Sequence, residues 1–381
     1  MISNLKFHDH RFRIMLVGDP HEKPRWDDPE DNAKYRDYLA LQNTAVRELK
    51  PDLVVLMGDN ASGKTADELR EVLMRITEPY RACGVPFAFI LGNHDLEWEG
   101  GERDLQTFYD VYRTIPGCLL PGKEQVSAYG DYHLTVRGTD SDACALNLWF
   151  IYSGNRAEPE YNSRYAFVKT EQLDWYRDRA AALRDENGGT VPAVLFQHIP
   201  VPEEYRLLKR RSALSMLYDG VQGQDNRKGT FYTLDKAQWT EGYLGESPCA
   251  PDYNNGQFDA WKETGDVFAA FFGHDHMNDF VGMTDGIILG QCKTAGFRVY
   301  GDGLKQGVRV LDLDDRSPRC LETRMVRYRE LVGTDCLSIK GRNKVVPDRW
   351  NVKIDAALKV LPVIAAALPA AILLRRRIRR K

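Results

Sequence analysis

Five short polar motifs, each placed directly after a short apolar run, constrain the fold of this chain more than any other feature. They are Asp19-Pro20-His21, Gly58-Asp59-Asn60, Gly92-Asn93-His94-Asp95, Gln197-His198 and Gly273-His274-Asp275-His276, and they hold five of the eight histidines. The apolar runs are 12–17, 52–57, 86–91, 191–197 and 267–272. They are short and nearly continuous, as in strands covered on both faces. Between the first three lie helical stretches, 32–49 and 65–82, the second opening on a Thr65/Glu68 capping box and stopping at Gly84. This β-α-β-α-β rhythm predicts a parallel sheet with right-handed crossovers. Open sheets of that kind place their chemistry beyond the carboxyl ends of the strands, so the fold is expected to bring the motifs together.

Further along, 132–136 and 146–152 read as a strand pair, the second with one face more exposed. Residues 170–185 read as a helix stopped by Asn187-Gly188-Gly189. A helix is expected near 203–217, then loop to about 260, and two or three strands in 286–313. The economical division is one domain over 8–335 and an extension over 336–381. Apolar residues make up 43% of the chain, enough for a core without disulfides. The seven cysteines are odd in number and widely spaced, which fits a reducing compartment. Residues 1–6 lack the apolar core of a secretion signal.

The tail differs in character. Residues 356–374 are uncharged except for Lys359, and 375–381 hold six basic side chains. Nineteen residues approach the ~20 that a spanning helix needs. The expected alternatives are a tail that spans the bilayer, one that lies on anionic lipid, and a helix packed on the body. Without its last seven residues the chain has 46 basic and 55 acidic side chains, so no basic face for a nucleic-acid duplex is expected. These features point to a cytoplasmic chain with 356–381 as the candidate membrane attachment.

The motifs supply Asp19, His21, Asp59, Asn93, His198, His274 and His276. Mixed nitrogen and oxygen donors suit divalent or trivalent Mn, Fe or Zn, and neither calcium nor a thiolate zinc finger. Seven ligands are too many for one tetrahedral ion. They fit two ions sharing a bridging carboxylate, and two ions ~3.5–4 Å apart suit phosphoryl transfer.

Here the sequence resembles the calcineurin-like metallophosphoesterases. The likeness rests on Asp-x-His, Gly-Asp-x, Gly-Asn-His-Asp, a lone histidine after a strand and Gly-His-x-His, in that order over 19–276. It implies a four-layer α/β/β/α sandwich of two mixed sheets flanked by helices. It implies that Asp19, His21 and His276 bind one metal, that Asn93, His198 and His274 bind the other, and that Asp59 bridges. His94 would then serve the leaving oxygen, and Asp95 would orient the neighbourhood. The implied reaction is hydrolysis of a phosphomonoester by a metal-bridging hydroxide, with a phosphodiester or nucleotide as the alternative substrate. The chain is similar to the purple-acid-phosphatase-related branch without the tyrosine ligand, since Asn60-Ala61-Ser62-Gly63 follow Asp59. Two stretches support this, 170–176 and 272–280. The alternative of another class is an inactive fold serving as a membrane-attached binding module.

Blander readings cover the rest. His8, His10 and His133 are expected at the surface or in packing, and Asp52 and Asp140 in turns or caps. Trp239, Tyr243, Tyr253 and Trp261 line a cleft or belong to the core. Arg298 meets a phosphate or forms a salt bridge. Gly58, Gly63, Lys64 and Thr65 nearly form a nucleotide-binding phosphate loop, but that rival explains none of the histidines.

Overall fold

The first third of the chain forms the expected alternation: β1 (Arg11–Val17), α1 (Pro29–Leu49), β2 (Leu53–Met57), α2 (Ala66–Ile76), α3 (Glu78–Ala82) and β3 (Phe87–Ile90). In this computed structural model, which describes residues 5–97 and 105–340, β2 lies parallel to both β1 and β3. Every residue of β2 and β3 is buried, each large side chain contributing ~1.5–3 kcal/mol. The Asp28 carboxylate starts α1 by accepting from the N–H groups of Glu30 and Asp31, both at 2.9 Å. The single helix expected over 65–82 is two. Pro79 has no N–H to continue the ladder, so α2 ends at Ile76 and a new turn starts at Glu78. The cap at Thr65 is also altered. Its hydroxyl accepts from Glu68 N–H at 3.1 Å, but the Glu68 carboxylate receives the N–H of Lys64.

Next come α4 (Leu105–Arg113), β4 (Tyr132–Arg137), β5 (Cys144–Ile151), α5 (Thr170–Asn187) and β6 (Ala193–Gln197). The half-exposed alternation falls on β4, not on β5 as the sequence suggested. Trp149 of β5 packs edge-on against Trp175 and Tyr176 of α5, which covers the face expected to be open. Residues 203–217 are not an α-helix. They form a 3-10 turn at Pro202–Leu207, strand β7 (Leu208–Arg211) and a second turn at Ala213–Leu217. With β8 (Val221–Gln222) and β9 (Phe231–Leu234), which lie in the stretch read as loop, β7 builds a three-stranded sheet. Pairing with the Phe231-Tyr232-Thr233 strand overrides the local helical pattern.

The remaining elements are β10 (Thr240–Glu241), α6 (Gln257–Thr264), β11 (Val267–Phe272), β12 (Val281–Thr284), β13 (Ile287–Gln291), β14 (Gly307–Asp314), β15 (Leu321–Arg327), α7 (Tyr328–Leu331) and α8 (Leu337–Lys340). One large sheet has the order β15-β14-β1-β2-β3 and the other β10-β12-β13-β11-β6-β5-β4. Both are mixed. One apolar cluster joins Leu41 of α1, Val54 and Phe89 of the first sheet, and Leu148 and Phe196 of the second. Another joins Trp149 and Leu195 to Tyr176 of α5 and Trp261 of α6. The layers therefore run helices, sheet, sheet, helices, as the α/β/β/α expectation required.

Packing reaches both ends of the described body. Leu5 and Phe7 are buried, and the buried Asp37 carboxylate accepts from the N–H groups of Leu337 and Ser338 at 3.0 and 2.6 Å. The apolar segment 356–374 and the basic end 375–381 lie outside the described residues. Among the described residues, no helix is long and apolar enough to cross a membrane.

Candidate metal centre

Asp19 and His21 follow β1, Asp59 follows β2, Asn93 follows β3, His198 follows β6 and His274 follows β11. The two sheets join beside these strand ends. Gly18 forms an isolated parallel bridge with Thr294, and His21 N–H donates to the Asp59 carbonyl at 2.8 Å. Side chains from both sheets thereby meet in two clusters. Asp19, His21, Asp59 and His276 form one, and Asp59, His198 and His274 the other, with the ligand atoms of each within 4.8 Å of one another. Asp59 belongs to both. Asn93 joins the second, its Oδ1 lying 3.2 Å from His198 Nε2. All seven expected ligands thus come together.

The Asp59 carboxylate has divided duties. Oδ1 accepts from His94 N–H at 2.7 Å. Among the described residues Oδ2 has no hydrogen-bond partner, and it lies 3.4 Å from His21 Nε2 and 3.3 Å from His198 Nε2. Nε2 of His21 and of His274 are likewise buried without a hydrogen-bond partner. Buried polar atoms without partners are costly, and here they converge on two points from several elements. A pair of cations resolves them, so the donors present fit two metals. Two imidazoles are also oriented for this. His198 Nδ1 faces the Met57 carbonyl at 2.8 Å and His276 Nδ1 the Tyr300 carbonyl at 3.1 Å, which turns each Nε2 inward.

The charges agree with ligation. Burial lowers His21 to about 4 and His276 to about 3, and it holds His274 well below its usual range, so these rings are neutral. Burial also opposes the charge on His198, but Asp59 and Asp19 outweigh it and raise that ring to about 10. The proton held there compensates the buried carboxylates, a task that a bound cation would take over. Asp59 stays well below the usual carboxylate range despite its burial, because His198 and His21 surround it.

The backbone is bent to make this possible. Asp19, His21, Asp59 and His274 all have φ between 45° and 72°, the left-handed region that non-glycine residues seldom occupy. Asp95 holds the loops. Its Oδ1 accepts from Asn60 and Ala61 N–H at 2.8 and 3.2 Å, and its Oδ2 from Gly92 N–H at 2.7 Å. Asp95 is thereby placed on the backbone of the loops that carry Asp59 and Asn93. It also answers the phosphate-loop rival, because the amides after Asp59 are spent on Asp95, and Ser62 N–H donates to the Glu22 carbonyl at 2.9 Å. Gly92 leaves no room for a side chain, since a Cβ there would overlap Asp59. Gly92→Ala is expected to lower metal content at both clusters and to destabilise the fold by about 1–3 kcal/mol. Gly189→Ala, where nothing lies within 4 Å, is the control for metal analysis and thermal unfolding.

His94 is half exposed and lies over the first cluster, its ring centroid 5.5 Å from that of His21. Its Nδ1 lies 2.5 Å from Glu97 Oε2. The other Glu97 oxygen lies 3.5 Å from the Asn155 amide. Glu97 and Asn155 were not singled out in the sequence, although a carboxylate three residues after the histidine was a usable signal. Tyr165, also missed, packs edge-on against His274 at 4.5 Å.

The other candidates lie elsewhere. His10 pairs with Asp315, and His133 hydrogen-bonds with Asn147. Asp52 accepts from Arg13 N–H, and the Asp140 side chain is exposed. Trp261 is core, Tyr253 packs on Tyr161 and Phe167, and Trp239 is exposed. Arg298 is neither a phosphate ligand nor a surface salt bridge. It is buried against Glu22 and Asp31.

The profile of the calcineurin-like phosphoesterase family matches residues 12–278. Among curated relatives, "Probable inactive purple acid phosphatase 14" of Arabidopsis thaliana is 29% identical over 71% of this chain and 65% of its own length. "Probable inactive purple acid phosphatase 29" of the same plant is 28% identical over 70% and 65%. The chain thus spans just under two thirds of these relatives. A dimetal phosphatase structure from Danio rerio aligns over 83% of this chain and 99% of that one, at TM-score 0.46 and 12% identity. The ordered motifs and the family profile agree: this chain belongs to the calcineurin-like phosphoesterase family.

Proposed function

We propose that the chain is a dimetal phosphoesterase that hydrolyses a phosphomonoester. The observation that carries this reading is the sharing of Asp59 between two ligand clusters. Asp19, His21 and His276 would hold one ion and Asn93, His198 and His274 the other, with Asp59 common to both. The ions would be Mn, Fe or Zn, neutralising phosphate oxygens and making hydroxide available near neutral pH.

The chain's own residues do the rest. Asp95 and the His94 N–H fix Asp59 so that only Oδ2 faces the centre. Glu97 accepts the His94 Nδ1 proton and leaves Nε2 facing the cleft. There His94 Nε2 delivers a proton to the oxygen that leaves phosphorus. His94→Ala is expected to lower kcat on an alkyl phosphate by ~10²-fold or more, and less on a nitrophenyl ester, whose leaving oxygen needs no proton. Glu97→Gln is expected to cost ~10-fold in the wild-type background and nothing further in His94→Ala. Independent, additive losses would reject the pairing.

A panel of phosphomonoesters, phosphodiesters and nucleotides, assayed with Mn, Fe and Zn, tests the reaction. The proposal requires monoesters to be the best substrates. The names of the two plant relatives favour a second reading, an inactive fold used for binding. Two bound metals without turnover on any ester would support it.

A further inference from the structure

We propose that Glu246 and Tyr300 are positioning residues that clamp the His276 imidazole, and that they set the affinity of one cluster, Asp19 with His21 and His276, selectively over the other. The proposal rests on the dimetal reading above and adds two residues to it.

The clamp is a closed ring of contacts. His276 Nδ1 faces the Tyr300 carbonyl at 3.1 Å. The Tyr300 ring lies against the imidazole, with centroids 4.3 Å apart and planes inclined by 31°. The Tyr300 hydroxyl donates to Glu246 Oε2 at 2.7 Å. Glu246 Oε1 accepts from Met277 N–H at 2.9 Å, the amide that follows His276. One carboxyl group therefore fixes both the backbone that carries His276 and the residue that orients its ring. The imidazole also meets His21 edge-on, centroids 5.2 Å apart, so a shift of Tyr300 is felt at two ligands of the same cluster.

Glu246 is in turn held by the motif it serves. Asn278 Oδ1 accepts from the N–H groups of Gly245 and Glu246 at 2.8 and 3.1 Å. Asp275 Oδ1 accepts from Cys249 N–H at 3.1 Å, and Asp279 Oδ1 from Tyr243 N–H at 2.7 Å. These three polar residues of the 272–280 stretch thus grip 243–249 as a brace against the turn that carries His276. Such outer contacts matter because a ligand ring turned away from its ion gives up the bond. In the other cluster, His198 takes its orientation from the Met57 carbonyl at the end of β2. Loss of the clamp should therefore fall on one ion.

The test uses the full chain with Mn as the added ligand, and follows stepwise binding by calorimetry and electron paramagnetic resonance. The step most weakened by His276→Ala marks the first cluster, and the step most weakened by His274→Ala marks the second. Tyr300→Phe removes one hydroxyl and keeps the ring and the carbonyl. Glu246→Ala removes the carboxyl, whereas Glu246→Gln keeps its shape and both hydrogen-bonding positions. Tyr205→Phe controls for a merely structural role, because the Tyr205 hydroxyl bonds the same segment at Ser247 Oγ and the Pro248 carbonyl, at 2.7 and 2.8 Å.

Tyr300→Phe and Glu246→Ala are each expected to weaken the first-cluster step about tenfold or more and to leave the second step unchanged. The double variant should lose no more than Glu246→Ala alone, and Glu246→Gln should recover most of the loss. Tyr205→Phe should spare both steps. Equal weakening of both steps, an unchanged first step, additive losses, or the same loss in Tyr205→Phe would overturn the clamp. If the chain binds two ions and hydrolyses no ester while the selective loss remains, the clamp stands and the hydrolytic reading falls. If turnover is present and the first step is unchanged in the variants, the clamp falls and the hydrolytic reading stands. A wild-type chain that takes no ion at the first cluster would overturn both the clamp and the dimetal reading.

Discussion

Asp59→Asn is expected to reduce turnover by at least ~10²-fold and to reduce bound metal to one ion per chain or fewer. Removing a residue that only orients a ligand costs 10–100-fold in metal affinity or activity, so loss of a shared ligand costs at least that much. The substitution keeps the size of the side chain and can keep the hydrogen bond from His94 N–H to the δ1 oxygen. What changes is the other atom. Oδ2 faces His21 and His198 with no other partner. An amide nitrogen there would put a donor where two bound cations would need a negative acceptor. His198 also loses the carboxylate that most strongly keeps it charged in the metal-free chain. Measuring metal content beside kcat separates this loss from unfolding. Near-normal turnover by a fully loaded Asp59→Asn protein contradicts the bridging role.

The second large effect is on stability. Arg298→Met is expected to destabilise the fold by about 3–5 kcal/mol, as when one member of a buried ion pair is removed. Arg298 is 2% exposed in its side chain and Glu22 is fully buried, with Nε and Oε2 only 2.7 Å apart. Burial pushes Glu22 up to about 7 even with the guanidinium beside it. Without Arg298 the carboxyl faces no cation and must take a proton or distort its surroundings. The cost is not confined to the periphery, because the Glu22 backbone bonds to Asn60 and Ser62, on the loop that carries Asp59. Metal affinity is therefore expected to fall with stability in urea titration. Glu22→Gln combined with Arg298→Met should recover part of the loss, because no buried charge is then left unpaired.

The comparison of sequence with structure follows from what each residue depends on. The candidate ligands were legible as a set because each sits just after a buried strand, and a short apolar run ending in Gly-Asp or Gly-His is a local signal. The glycines belong to the same signal, since Gly92 and Gly58 stand where a side chain would strike Asp59 or His198. The break at Pro79 was also written locally but was overlooked in a long helical pattern. Residues 203–217 were not legible, since β7 exists through its pairing with β9 more than twenty residues later. Arg298 shows the same limit. Nothing near position 298 announces that Glu22 and Asp31 will surround it. Glu97 was within reach, but its role depends on a side-chain direction that spacing does not give.

The central claim is that one carboxylate joins two metal sites in this chain. The most direct measurement is metal stoichiometry of the wild-type chain after Mn loading and exhaustive buffer exchange, read together with electron paramagnetic resonance. The account predicts two ions per chain with a spin-coupled signal, as for ions sharing Asp59. One ion, or two whose signals are those of isolated Mn, would contradict it.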